Sequence, residues 1–176
     1  MTALCPHTVL LSNLEETRVF AGRLAPLLSP GLRVGLSGPL GAGKTEFVRQ
    51  LVGELGGVPS AVSSPTYVLE AVYEIEEKRA RNVDVTCIRH WDLYRLAPGP
   101  GPEELFDLRG FARAITLVEW PERSSDWGPE EDLRLTFAFA EAHASEEGEH
   151  GGRRIVQALA RSEDLNQRLT PIFEKA

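Results

Sequence analysis

Eight consecutive residues hold the clearest chemistry in this chain: Gly38-Pro-Leu-Gly-Ala-Gly43-Lys44-Thr45 fills every specified position of G-x-x-x-x-G-K-[ST]. Each residue type suits a polyphosphate. Gly38, Gly41 and Gly43, with the small Ala42 between, let the backbone turn tightly and aim N–H groups inward at an anion. A helix opening directly after the loop adds partial positive charge. Lys44 reaches the terminal phosphates as a mobile point charge, and the Thr45 hydroxyl suits Mg²⁺. Of 19 basic residues only three are lysine (Lys44, Lys78, Lys175), so a lysine here stands out against a strong arginine bias.

A phosphate cradle alone hydrolyses nothing; acids must hold the metal and order a water. Two acids follow apolar runs. Asp92 comes after Cys87-Ile-Arg-His-Trp91, and Glu119 after Ile115-Thr-Leu-Val118. On spacing alone, metal binding and surface ion pairing are equal readings of each. The Glu119 run is the more apolar, which places Glu119 more plainly at the end of a buried strand beside the loop. Trp120 either packs in the core or stacks on a base, and residue type favours the core. His90 reads as a hydrogen-bonded structural histidine before a catalytic one. Ser63-Ser-Pro-Thr66 is a polar loop of the kind that senses a γ phosphate, a weak signal by itself.

The elements that must position these groups follow from periodicity. Ser12 to Leu28 predicts a helix capped by Asn13, with Glu16 as capping-box partner. Leu32 to Ser37 predicts a buried strand, and Lys44 to Leu55 a helix stopped by Gly56-Gly57. The motif thus sits in the strand–loop–helix context it requires. Tyr67 to Tyr73 and Asp84 to His90 predict strands of a long hairpin, about residues 67–90, with a charged tip. Glu103 to Arg113 reads as helical and Ile115 to Val118 as a strand. Leu133, Leu135, Phe137 and Phe139 alternate as a half-buried strand should. The acidic, glycine-containing run at about residues 141–152 predicts a mobile loop. Arg153 to Leu159 and Ser162 to Leu169 predict a strand and a short helix. The expected fold is α/β: a three-layer sandwich around a mixed, mainly parallel central sheet.

With 176 residues and 42% hydrophobic content, the chain suits a single compact domain over residues 1–176. A net charge of -7 argues against a stand-alone nucleic-acid binder. Two cysteines, Cys5 and Cys87, are too few for a disulfide scaffold. No apolar run reaches the ~18 residues a membrane span needs. Met1 to Leu11 has no basic residue before its apolar run and does not read as a signal peptide. The expected compartment is the cytoplasm, with no membrane partner.

Taken together, four segments resemble one family. Leu40-Gly-Ala-Gly-Lys-Thr45, Ser64-Pro-Thr-Tyr67, His90-Trp-Asp-Leu-Tyr-Arg-Leu96 and Leu117-Val-Glu-Trp120 occur in the order and approximate spacing of the TsaE (YjeE) family. Pro102-Glu-Glu-Leu105 and Gly110-Phe111 fit between the third and fourth segments. The resemblance covers roughly residues 10–160. It implies a P-loop NTPase-like sandwich, and an ATPase serving the formation of threonylcarbamoyladenosine in tRNA alongside the TsaD and TsaB proteins. It implies that Lys44 and the loop backbone hold ATP. Thr45 and Glu119 would bind Mg²⁺, with Asp92 close to the metal or the attacking water and Thr66 facing the γ phosphate. Trp120 would join the same patch, and tRNA would be met only indirectly or through the complex. Arg153 or Arg154 is implied as a late arginine near the nucleotide. The hairpin, with Lys78, Arg79 and Arg81 at its tip, is longer than in common members, and Pro39 stands where an acidic residue is frequent. The alternative is a small P-loop nucleoside or metabolite kinase, for which Arg109, Arg113 and Arg123 would be candidate lid residues.

Overall fold

A computed structural model describes residues 6–65, 67–76, 84–140 and 152–174. Thr66, the hairpin tip bearing Lys78, Arg79 and Arg81, the acidic run 141–151 and Cys5 lie outside the described residues.

Among the described residues, seven strands form one sheet: β1 (His7–Leu11), β2 (Arg33–Ser37), β3 (Glu70–Glu74), β4 (Cys87–Asp92), β5 (Ala114–Glu119), β6 (Leu133–Phe139) and β7 (Arg154–Ala160). Their order is β1-β7-β6-β2-β5-β4-β3. The four central strands, β6, β2, β5 and β4, run parallel, while β7, β1 and β3 add on antiparallel at the two sides. Four α-helices of the described residues accompany the sheet: α1 (Leu14–Leu24), α2 (Lys44–Leu55), α3 (Glu103–Phe106) and α4 (Glu163–Phe173).

One face of the sheet packs on α1, α2 and α4. Val34, Leu36, Ile88, Ile115, Leu117, Leu135 and Phe137 meet Phe20, Leu24, Phe47, Val48, Leu51 and Leu169 in one buried cluster. Aromatic rings stitch its layers together. Phe47 lies 5.7 Å from both Phe20 and Phe137, and Phe20 lies 5.3 Å from Phe173. Truncating a fully buried phenylalanine such as Phe47 costs about 3–5 kcal/mol. The other face is covered more thinly, by α3, loops and short 3₁₀ turns. Trp91, Leu93, Leu105, Val118 and Trp127 form its core.

Local chemistry explains the helix ends. The Asn13 side chain accepts from Glu16 N–H at 2.9 Å, and Glu16 Oε2 accepts from Ser12 N–H at 2.6 Å. Helix α2 ends at Gly56 (φ 101), and Gly57 N–H bonds back to Val52 O at 2.8 Å.

The structure departs from the sequence reading at four places. The segment before Ser12 holds a strand, β1, whose partner β7 lies at the far end of the chain. Helix α1 ends at Leu24, and Ala25–Leu27 tighten into a 3₁₀ turn around Pro26. The helix expected over Glu103 to Arg113 is only Glu103–Phe106. There, Glu104 O and Asp107 O accept from the Arg89 guanidinium, and Asp107 Oδ1 caps Arg109 N–H in a local turn. These bonds compete with continuation of the helix. Helix α4 runs further than expected, to Phe173, with Pro171 inside it. Among the described residues, no helix is long and apolar enough to cross a membrane.

Candidate functional site

The carboxyl ends of the parallel strands deliver the chemically important residues to one edge of the sheet. Strand β2 ends at Ser37 and the glycine loop follows. Gly38 has φ 132, and a Cβ there would stand 2.2 Å from Phe137 O, so both conformation and space demand glycine. Gly43, at φ 99 and ψ 12, turns the chain into α2. The first-turn N–H groups of such a helix have no intrahelical acceptors, which is what makes a helix start attractive to anions.

Lys44 and Thr45 begin α2. Lys44 is 4% exposed. Its Nζ donates to Gly38 O at 2.7 Å and Pro39 O at 3.0 Å, and lies 4.1 Å from the centre of the Trp120 ring. An ammonium has three N–H donors, so one remains after these two bonds. Burial lowers the lysine's pKa below its ordinary value, against the pull of the Glu119, Glu122 and Asp92 carboxylates.

The acids arrive from neighbouring strands. β4 and β5 pair in parallel with Asp92 opposite Glu119. Both are buried, at 2% and 3% exposure. Glu119 Oε1 accepts from Thr45 Oγ1 at 2.7 Å and lies 3.0 Å from His90 Nε2. Asp92 Oδ2 accepts from Ser64 Oγ at 2.7 Å, and Asp92 Oδ1 from Tyr94 N–H at 3.0 Å. Trp120 adopts φ 58, uncommon for a bulky residue. Its N–H bonds to Leu36 O at 3.1 Å, and its ring stands 5.1 Å from Tyr94. The residue-type reading of Trp120 as core is thus half the picture. It packs beside the second cluster and also carries the Lys44 ammonium on its face.

These groups line a cavity of about 290 Å³ that includes Gly41, Lys44, Thr45, Ser64, Asp92, Tyr94, Glu119 and Trp120. A second cavity of about 450 Å³ adjoins the other side of the same loop. It is lined by Leu11, Asn13, Thr17, Ala42, Phe137 and Arg154. Arg154 donates to Ala42 O at 3.0 Å and Gly41 O at 3.2 Å, with its guanidinium 4.6 Å from the Phe139 ring. Arg153 is exposed. The structure therefore separates the two late arginines, which the sequence left as alternatives.

Gly38, Gly41, Ala42, Gly43, Lys44, Thr45, Asp92, Glu119 and Trp120 converge on this edge. Thr66 is the one predicted site residue outside the described set. Sequence reading missed Tyr73, whose hydroxyl donates to Ser63 O at 3.1 Å and lies 3.5 Å from His90 Nδ1. Nothing local to Tyr73 signals this link. The β1–α1 junction as a cavity wall was missed for the same reason.

The oxygen donors fit a small hard cation. Mg²⁺ is held by one or two carboxylates plus phosphates and waters. The Thr45 hydroxyl beside two buried carboxylates matches that pattern, whereas no cluster of three His, Cys, Asp or Glu ligands occurs among the described residues.

A mixed sheet with a parallel centre, whose strand β2 runs through a glycine loop into a helix and whose next two strands, β5 and β4, end in acids, defines a P-loop α/β protein. The comparisons carry this further. Residues 11–148 match the family model described as Threonylcarbamoyl adenosine biosynthesis protein TsaE. The chain belongs to the TsaE family. It is 38% identical over 118 residues to a tRNA threonylcarbamoyladenosine biosynthesis protein TsaE of Rickettsia felis, a match covering 65% of this chain and 62% of the relative. The chain thus spans about three fifths of that relative's length. The Streptomyces coelicolor protein of the same name is 38% identical over 134 residues, covering 76% of this chain and 86% of that one. The crystal structure of Bacillus subtilis YdiB superposes with a TM-score of 0.61 at 20% identity, over 99% of both chains, and shows the same fold.

Proposed function

We propose that this chain is a Mg²⁺-dependent ATPase acting in the formation of threonylcarbamoyladenosine in tRNA, together with TsaD and TsaB. Membership of the TsaE family supports the pathway. The observation that carries the chemistry is the 2.7 Å bond from Thr45 Oγ1 to Glu119 Oε1 at the mouth of the glycine loop, with Lys44 Nζ beside it.

In this reading the loop N–H groups and the remaining Lys44 donor bind the β and γ phosphates. Bound Mg²⁺ would neutralise charge developing between those phosphates. Donation from Thr45 to Glu119 leaves the hydroxyl lone pairs for the cation, and Glu119 supplies carboxylate oxygen to it. Asp92, oriented by Ser64 and the Tyr94 N–H, lies where an acid orders the attacking water or a metal-bound one. Thr66 follows the Ser63–Ser64 loop and is assigned to γ-phosphate sensing. Trp120 holds the Lys44 ammonium from its open face. The larger cavity beyond Ala42 takes the nucleoside, its volume falling in the range of small-molecule sites. The acidic chain leaves tRNA binding to the partners, and the cytoplasm is the compartment where tRNA and those partners meet.

The test is ATP turnover by the purified chain, alone and with TsaD and TsaB. Turnover that the partners change and Lys44→Ala removes supports the proposal. One-for-one phosphorylation of a small nucleoside, indifferent to the partners, overturns it in favour of a kinase.

A further inference from the structure

Behind the two acids runs a buried polar chain that none of the roles above uses. His90 is wholly buried on β4, one residue pair below Asp92 on the same face of the sheet. Its Nε2 lies 3.0 Å from Glu119 Oε1. The single proton of the Tyr73 hydroxyl is shared between Ser63 O, at 3.1 Å, and His90 Nδ1, at 3.5 Å. A carboxylate oxygen only accepts, so Nε2 bears the proton in this contact. Oε1 of Glu119 then holds two donors, Thr45 and His90, and no described residue donates to Oε2. Two donors converging on one oxygen restrict rotation of the carboxyl group far more than one does. The far end of the chain grips Ser63, whose neighbour Ser64 orients Asp92.

We infer that His90 is a positioning residue, set by Tyr73, that fixes the Glu119 carboxylate for the cation and locks it to the Ser63–Ser64 loop. Glu119 and Asp92 are thereby placed by one connected framework. The inference rests on the proposed role of Glu119 toward Mg²⁺. Partners that orient ligating groups are worth about 10- to 100-fold in metal affinity.

The test uses the full chain, ADP, and Mn²⁺ in place of Mg²⁺, with bound Mn²⁺ counted from the loss of its free electron-spin-resonance signal. His90→Ala is expected to weaken Mn²⁺ binding to the ADP-loaded chain by at least about 10-fold. ADP affinity in EDTA is expected to stay within about twofold, because the Glu119–cation contact is absent there. His90→Gln, which restores an N–H donor, should recover most of the loss. Tyr73→Phe keeps the ring, so folding is preserved, and should weaken Mn²⁺ binding about threefold as His90 loses its orienting partner. Unchanged Mn²⁺ affinity in Tyr73→Phe and in folded His90 variants overturns the inference. So does a fall in EDTA-measured ADP affinity by the same factor, which would mark a purely structural role. If His90→Ala does not fold, His90→Gln and Tyr73→Phe decide the question. A wild-type chain that binds no ADP overturns the nucleotide reading itself, and the inference with it.

Discussion

The two faces of the sheet bury charge in opposite ways. On the thinly covered face, Arg89 is 1% exposed and each of its three guanidinium nitrogens donates to the protein. Nε donates to Glu70 at 2.5 Å, Nη1 to Asp107 O at 3.0 Å and Nη2 to Glu104 O at 2.7 Å. Its guanidinium also lies 4.4 Å from the Phe111 ring and 5.5 Å from Trp91. On the helical face, Lys44 and Glu119 are nearly as buried, but each keeps unspent capacity: one N–H on Lys44 and one oxygen on Glu119. Buried charge ion-paired within the fold, as Arg89 is with Glu70, holds structure together. Buried charge with spare donors or acceptors beside a cavity, as Lys44 and Glu119 are, is arranged for something that arrives later.

Substitutions can break or sharpen this contrast. Lys44→Ala should weaken ATP binding by about 1,000-fold, because the phosphates lose a desolvated counter-charge. Calorimetric titration reads this, and the thermal midpoint should barely move. Arg89→Ala should do the reverse. Urea unfolding should show a loss of about 3 kcal/mol, since Glu104 O, Asp107 O and Glu70 all lose their donor. ATP affinity of the remaining folded fraction should be unchanged; an affinity loss comparable to that of Lys44→Ala would erase the distinction between the faces. Glu119→Gln should lower Mg²⁺-dependent turnover about 100-fold while leaving nucleotide binding in EDTA intact. Trp120→Ala should weaken ATP binding about three- to tenfold through the lost cation–π contact, and Trp120→Phe by less. A Trp120→Phe variant that binds like wild type would show that ring contact, rather than the richer π face of indole, supports Lys44; equal losses in the two variants would show that the indole itself is required.

Much of the site was legible before any coordinates. Gly38 to Thr45 announce themselves because the loop's backbone demands are met locally, residue by residue. Strand β6 was legible because alternation is a local pattern, and the start of α1 because Asn13 and Glu16 lie within one turn. The misses have a common cause. β1 pairs with β7 across nearly the whole chain, so its identity as a strand depends on a distant partner. The expected helix after Glu103 stops short because Arg89, from another strand, takes its carbonyls. The Tyr73–His90–Glu119 chain was hidden because its members come from three strands.

The order of residues settled which groups this protein can offer a phosphate, and the loop, helix and strand that present them, since those depend on neighbours a few bonds away. Which acids stand together, which arginine reaches the loop and which buried charges keep spare valence were decided by packing. Strand register and burial bring together side chains far apart in sequence, and only there does the geometry of donors and acceptors become definite.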